Sequence, residues 1–457
     1  MFENYFRERA APTVGWAIGT AMMLGILQII GPWAVANVAA TTAISVGSFL
    51  SSIGVCVHVQ HGENAAKMVG PLKYLGVRNV RDGADNNWDV SGLIFLHRRA
   101  GVRVVFGPGS GAKTDSLAKT ITACRKLALA GALLAVEGPN EPNNFGGVTY
   151  HGVNSEKTKN WLPVAEYQQA LYRAVKRDPI LKNYPVFNVS ETGAEYNDVG
   201  LQFLKIPAGA SALMPAGTVF ADFANVHNYV CGLIKGPVDN QAYQAASNKE
   251  EPGFDGIFGN QGITWREHFT GYSASTLAKL PKVTTETGWK ATGSVAGDEI
   301  QGDMLMDVFL DQFAAGWRYT FIYELMDDSR NKWGFYKSNY VTARKSASYL
   351  HNLTTILYSS GVSAALGKIA YSIPQQPTTV HDLLVEKPNG IFDLIVWNER
   401  VKGVNKVIVN LGDVYPLVRI YDPTRGTSAT QTVNQVSSVP LTLSNHPEIL
   451  EILPGVH

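Results

Sequence analysis

Ala132-Leu133-Leu134-Ala135-Val136-Glu137-Gly138-Pro139-Asn140-Glu141-Pro142 is an apolar run of strand length that meets carboxylates and turns at once through glycine and proline. A continuous apolar run of this kind suits a strand buried on both faces, as in a parallel sheet. Lys282-Val283-Thr284-Thr285-Glu286-Thr287-Gly288-Trp289 repeats the design: a strand, a terminal Glu, then Gly for the turn. Before the first stretch, Leu117, Ile121, Cys124 and Leu127 fall on one helical face. Another helical pattern runs from about Pro163 to Lys176, and an amphipathic one from Asp303 to Ala315. Strand, then helix, then strand is the signature of a parallel α/β architecture.

Working outward, six further strands are expected. They are Ile53–Val59, Gly76–Arg81, Gly101–Phe106, Pro185–Val189, Phe223–His227 and Tyr319–Tyr323. Eight strands with helices between most of them predict a (β/α)8 TIM barrel, whereas a doubly wound open sheet usually has fewer strands. Asn143–Asn160 and Cys231–Gln261 read as long loops that follow strands, so they would border the catalytic face. From about Ala365 the helical periodicity stops. His381–Lys387, Phe392–Trp397, Lys406–Leu411, Val418–Tyr421 and Pro440–Leu443 are strand-like, with Gly, Asn and Pro turns between them. They predict a small antiparallel β-sandwich, so the expected division is residues 41–362 for the barrel and 363–457 for the sandwich.

Residues 1–40 have a different texture. Arg7 and Arg9 precede an uncharged stretch from Val14 to Val35, followed by small residues at Ala34-Val35-Ala36. This reads as a signal peptide, which would make the protein secreted or periplasmic. Glu3 and Glu8 dilute the basic start, and the apolar stretch is long enough to span a bilayer, so an uncleaved membrane anchor is the alternative.

Composition narrows the function. A formal net charge of +1 and the lack of any long basic run exclude nucleic acid as the main partner. The 45% apolar content is enough for a large core. Cys56, Cys124 and Cys231 have neither C-x-x-C nor zinc spacing, so no metal and no cofactor are expected. Buried free thiols are expected, with a Cys56–Cys231 bridge as the alternative. Gly107-Pro108-Gly109-Ser110-Gly111-Ala112-Lys113-Thr114 resembles a phosphate-binding loop, but Ala112 stands where glycine must precede lysine. It reads instead as a glycine-rich loop bordering the cleft.

Barrel enzymes carry their reactive groups at the C-terminal ends of strands. Glu141 and Glu286 would sit at two such ends and could face each other across the mouth. Glycoside hydrolysis needs that pair, one acid for the leaving oxygen and one anion for the anomeric carbon. A solvated loop Glu or a helix-capping Glu are the plainer alternatives. Arg81, ending the second strand, can hold Glu286 ionised. Tyr229 could donate to Glu286, His227 to a sugar hydroxyl, and Asn140 to a 2-hydroxyl. Trp289, Trp333 or Trp88 could stack on a pyranose face, with ordinary packing as the alternative for each. His58 and His61 read as structural or peripheral.

Asn140-Glu141-Pro142, His227-Asn228-Tyr229 and Glu286 at their strand ends resemble the retaining glycoside hydrolases of clan A. Within that clan the chain looks closest to families 39 and 5. The eighth-strand region Tyr323-Glu324-Leu325-Met326-Asp327-Asp328 with Trp333-Gly334-Phe335-Tyr336 is similar to family 39-like enzymes, and the tail to their appended β-sandwich. The resemblance implies Glu141 as acid/base and Glu286 as nucleophile. It also implies carboxyl groups about 5–5.5 Å apart and cleavage of β-linked oligo- or polysaccharide by double displacement. A bacterial exopolysaccharide is one candidate substrate. Many members carry Trp near the end of strand eight, where Tyr323 and Glu324 stand here, so the sugar preference stays open. Transglycosylation on the same scaffold and a non-catalytic carbohydrate-binding barrel are the alternative readings.

Overall fold

The computed structural model describes residues 39–142, 144–158, 160–190, 214–215, 217–230, 239–244, 279–328, 331–361, 365–400 and 402–454. Ala39–His457 forms one compact unit. The signal-or-anchor reading falls on residues of which 1–38 lie outside the described ones, as do Cys231 and most of the expected Cys231–Gln261 loop. Among the described residues no helix is long and apolar enough to cross a membrane.

The eight expected strands are present: β1 (Ile53–Cys56), β2 (Asn79–Ala84), β3 (Arg103–Pro108), β4 (Leu133–Glu137), β5 (Val186–Phe187), β6 (Ala224–His227), β7 (Lys282–Thr287) and β8 (Tyr319–Ile322). They pair in parallel in the order β6-β7-β8-β1-β2-β3-β4-β5. A parallel bridge between Phe187 and Phe223 closes the ring, and the Asn188 N–H donates to the Phe223 carbonyl at 3.1 Å. The fold is therefore an eight-stranded parallel barrel. Side chains alternate along each strand. Ile53, Val55, Val80, Val104, Phe106, Val136, Val186 and Ile322 pack outward into the main core with the helices. Cys56, Val105, Ala135, Phe187, Val283, Tyr319 and Phe321 fill the barrel interior. β1 stops short of the expected Val59, because Val59–His61 forms a 3-10 turn.

The helical layer includes α1 (Ala65–Leu75), α2 (Ser91–Ala100), α3 (Ser116–Leu129), α4 (Leu162–Arg177), α5 (Val295–Ala314) and α6 (Lys345–Leu357). Asn64 caps α1 by accepting from the Ala66 and Lys67 N–H groups, and Gly76 ends it in the left-handed region at φ 70°. α5 begins at Val295, well before the expected Asp303, because the Ser294 side chain caps the Gly297 N–H. The expected loop 143–160 contains a short hairpin, Thr149–Tyr150 with Val153–Asn154, and the helical turn Ser155–Thr158.

A second, smaller sheet follows: β9 (Lys368–Ser372), β10 (Val380–Glu386), β11 (Phe392–Asn398), β12 (Asn405–Tyr421), β13 (Gln431–Leu443) and β14 (Glu448–Leu453). The two runs Lys406–Leu411 and Val418–Tyr421 are the halves of one long strand, β12, whose pairing with β13 is interrupted between Asn410 and Tyr415. The interruption lets β12 pair with β9 in its first half and with β14 in its second, so the sheet folds over one core. Residues just ahead of the barrel also join it. Ala40–Thr42 pairs antiparallel with β9, and Ile44–Ser45 pairs with β10 in parallel, making the sheet mixed. Leu383, Val385, Ile395, Trp397 and Ile449 of this sheet belong to the same core as Leu305, Phe309, Leu350 and Leu353 of α5 and α6.

Candidate active site

Period-two alternation turns Arg81, Glu137, His227 and Thr285 into the barrel mouth, one from each of four strands. Glu286 is the neighbour of Thr285 and would point outward in a regular strand. Here the register between β6 and β7 slips, His227 facing Glu286 where a regular ladder would put Thr285. The β7–β8 register slips between Thr284 and Thr287 as well. Such a bulge re-aims one side chain, and Glu286 turns to the mouth with Thr285.

Glu141 arrives by a different route. The chain leaves β4 through Gly138, where a Cβ would lie 2.1 Å from Gln168 Oε1 and 2.6 Å from Val189 N, so only glycine fits. Glu141 itself has φ 38°, a left-handed conformation costly for a residue with a side chain. The N–H groups of Asn144 and Phe145 hold it there by donating to its carbonyl at 2.9 and 3.0 Å.

The two glutamates meet. One oxygen of Glu141, one oxygen of Glu286 and a ring nitrogen of His227 all lie within 4.8 Å of one another. His227 Nδ1 bonds Glu141 Oε1 at 2.6 Å, and the Asn144 amide donates to Glu141 Oε2 at 3.0 Å. Arg81 Nη1 donates to Glu286 Oε1, and the Tyr229 hydroxyl donates to Glu286 Oε2 at 2.8 Å. The other edge of the Arg81 guanidinium grips Glu137 through Nε at 2.8 Å, and its Nη2 also donates to Asn140 Oδ1 at 2.8 Å. Beneath lies Thr285, whose hydroxyl is 2.6 Å from Glu137 Oε1 and 3.0 Å from His227 Nε2.

Arg81, Glu137, Glu141, His227, Tyr229, Thr285 and Glu286 are buried, so charge must be compensated locally. Burial pushes the Glu137 carboxyl up, but the Arg81 guanidinium and His227 outweigh it and hold it down at about 2. Burial likewise opposes ionisation of Glu286, yet His227, Arg81 and the Tyr229 hydroxyl keep its pKa below the usual carboxylate range. For His227, burial disfavours the imidazolium, while Glu286, Glu137 and Glu141 raise it to about 9. Glu141, His227 and Glu286 are close enough to share a metal, but a cation there would compete with the Arg81 guanidinium already on Glu286.

The strand ends open into a cleft of about 790 Å³. Arg81, Asn140, Glu141, Tyr229, Glu286 and Trp333 line it. Trp333 packs edge-on against Tyr229, with ring centres 5.2 Å apart. Trp289 requires a correction. It is buried in the main core, does not line the cleft, and its carbonyl accepts from Gln301 Nε2 at 3.0 Å. Trp88 also packs on the core, edge-on to Phe106. The expected contact of His227 with a sugar hydroxyl is likewise corrected: its ring is fully buried and both nitrogens are engaged within the protein.

The sequence reading missed several lining groups. His58 and His61, expected to be structural or peripheral, line the cleft with their rings stacked at 5.7 Å. His58 Nδ1 pairs with the buried Glu324 at 3.1 Å; burial opposes its charge, but Glu324 raises its pKa to about 9. Glu137 was visible in the first quoted stretch, two residues beyond inward-facing Ala135. That alternation was the available signal for a buried partner to Arg81. The glycine-rich loop does border the cleft, Ser110 accepting from the Asn140 amide at 3.1 Å. Cys56 and Cys124 are buried and free.

No protein-family profile matches this chain, and no curated protein matches it in sequence. Solved structures do match in fold. A family 39 glycoside hydrolase from the gut symbiont Bacteroides cellulosilyticus superposes with a TM-score of 0.58 at 15% identity, over 90% of this chain and 82% of that one. A family 30 endoxylanase from Clostridium papyrosolvens superposes with a TM-score of 0.51 at 11% identity, over 91% of this chain and 98% of that one. At these identities the likeness to these glycoside hydrolases is one of fold alone.

Proposed function

We propose that this chain is a retaining glycoside hydrolase acting on β-linked oligo- or polysaccharide, with Glu286 as nucleophile and Glu141 as acid/base. The observation that carries the reading is the approach of one Glu141 oxygen to one Glu286 oxygen within 4.8 Å, with His227 on the first carboxyl and Arg81 and Tyr229 on the second. Inverting enzymes need about 6.5–9.5 Å between carboxyl groups to admit a water, whereas a covalent route needs the short separation. Arg81 and Tyr229 keep Glu286 anionic and aimed. His227 Nδ1 lies 2.6 Å from Glu141 Oε1, so the ring is in hydrogen-bond contact with the carboxyl that serves the leaving group.

In the first step a Glu286 oxygen bonds the anomeric carbon as the glycosidic C–O bond breaks. The departing oxygen takes the proton from Glu141. In the second step Glu141 takes a proton from water, whose oxygen attacks the same carbon and frees Glu286. Trp333 and Tyr323 offer apolar ring surface beside the reacting sugar. The cleft is large and open enough for more than one sugar ring, which supports an oligomeric substrate. The segment expected over residues 1–40 we take as an export or anchoring segment, on the sequence pattern alone.

Glu286→Ala should lose turnover on an aryl β-glycoside, and added azide should return a glycosyl azide of inverted configuration. Glu141→Ala should slow substrates with poor leaving groups far more than activated aryl glycosides. Near-native rates for both variants on a polysaccharide that the parent cleaves would remove the proposal.

A further inference from the structure

The helix α5 carries Asp303, Asp307 and Asp311 four residues apart, hence on one face, and that face is buried. It looks toward the second sheet rather than toward the cleft. Asp303 Oδ2 accepts from the Asn445 amide at 2.9 Å, and Asp311 Oδ1 accepts from the Trp397 indole N–H at 2.8 Å. Glu399, just past β11, joins the same spot and accepts from the Tyr243 N–H at 3.2 Å. His381 of β10 stands opposite Trp397 in the ladder. One donor atom each from Asp311, His381 and Glu399 lie within 4.8 Å of one another.

Acidic residues clustered on a surface mean little, but these are buried and several of their oxygens lack a donor. Both oxygens of Asp307, Oδ2 of Asp311 and Oε1 of Glu399 are buried without a hydrogen-bond donor among the described residues. No Lys or Arg forms an ion pair with any of the three in the described structure. Carboxylates this close, buried with oxygens that no donor reaches, need either a cation or retained protons.

We propose that Asp311, Glu399 and His381 bind a divalent transition-metal ion of the zinc class at the junction of barrel and second sheet. An imidazole beside two carboxylates suits zinc or manganese better than calcium or magnesium, which take all-oxygen sets. Asp307 stands next to this set, with oxygens available to a metal-bound water or as a fourth ligand. His381 Nε2 contacts Asn240 Oδ1 at 3.3 Å, the kind of outer bond that fixes the ring of a metal-bound histidine. A surface hollow of about 490 Å³, lined by Tyr243, Gln376, His381, Asp382 and Trp397, leads from solvent to the His381 ring. The ion ties α5 to β10 and the end of β11. It is a structural staple, separate from Glu141 and Glu286.

The test uses the full chain, free of any histidine tag. Elemental analysis should find one zinc or manganese ion per chain, EDTA should lower the melting temperature by several degrees, and added Zn2+ should restore it. His381→Ala, at the rim, should weaken Zn2+ binding tenfold or more in calorimetry while leaving a folded protein. Asp311→Asn with Glu399→Gln should abolish the response of the melting temperature to EDTA and Zn2+. Metal-free protein whose melting temperature ignores both reagents would overturn the proposal and assign the compensating charge to protons. So would an Asp311→Asn, Glu399→Gln protein that melts higher than the parent. Glycosidase assays on the same samples report on the cleft alone, so the two proposals fail independently.

Discussion

Glu286 has two carboxylate oxygens and three neighbours competing for them: Arg81, Tyr229 and His227. Arg81 serves Glu286 with one guanidinium edge and Glu137 with the other, a forked geometry that lysine cannot reproduce. Arg81→Lys is therefore expected to lower kcat by about 100-fold or more, with a smaller change in KM, in steady-state assays. Conversion of Tyr229 to Phe removes one donor and leaves the ring against Trp333, so a milder loss in kcat without loss of folding is expected. The titration of His227 has a definite sign. Its folded pKa of about 9 exceeds the ordinary 6.5, so its stabilisation is complete below pH 6.5 and is lost as pH rises through 9. Glu137 runs the other way: its contribution is present above its ordinary 4.5 and is lost as pH falls toward 2. Melting temperature against pH should decline on both sides, and His227→Gln should flatten the alkaline side. A parent protein whose melting temperature holds level to pH 10 would contradict this account.

Among the elements, β7 decides the site because its irregular pairing brings Thr285 and Glu286 to the same side. α1 depends on its cap: Asn64 Oδ1 accepts two backbone N–H groups that would otherwise face solvent. Asn64→Ala should cost about 1 kcal/mol in denaturant unfolding and leave kcat unchanged. Between β1 and β8 the interior is tight. A Cβ on Gly54 would lie 2.4 Å from the Phe321 ring, inside any tolerable contact. Gly54→Val should destabilise by about 1–3 kcal/mol or prevent folding, because the ring is fully buried in the barrel interior.

At the scale of the molecule, the second sheet covers a core of its own and also packs into the barrel's main core. Trp397 and Ile395 of β11 pack with the helices α5 and α6, and Ala40–Ser45, ahead of the barrel, adds two short strands to the second sheet. Cutting between them would expose a large apolar face. A fragment of residues 39–361 should be insoluble or lack a cooperative melt, whereas residues 39–457 should unfold in a single transition by calorimetry. Two separated transitions in residues 39–457 would show that the sheet folds as an independent unit.

The sequence by itself determined the barrel and the strand ends on which the carboxylates ride. Strand-length apolar runs ending in Glu, spaced by helical patterns, leave few other folds, because each run must bury both faces. Local periodicity is a property of neighbours in the chain, so it was legible. Groups joined across the barrel were not. Glu137 beneath Arg81, His58 against Glu324, and the turning of Trp289 into the core depend on which side chains share a small volume. The same holds for Asp311, His381 and Glu399, which come from one helix, one strand and one strand end. No spacing rule links residues so far apart in the chain; only the packing of barrel against sheet brings their oxygen and nitrogen atoms together.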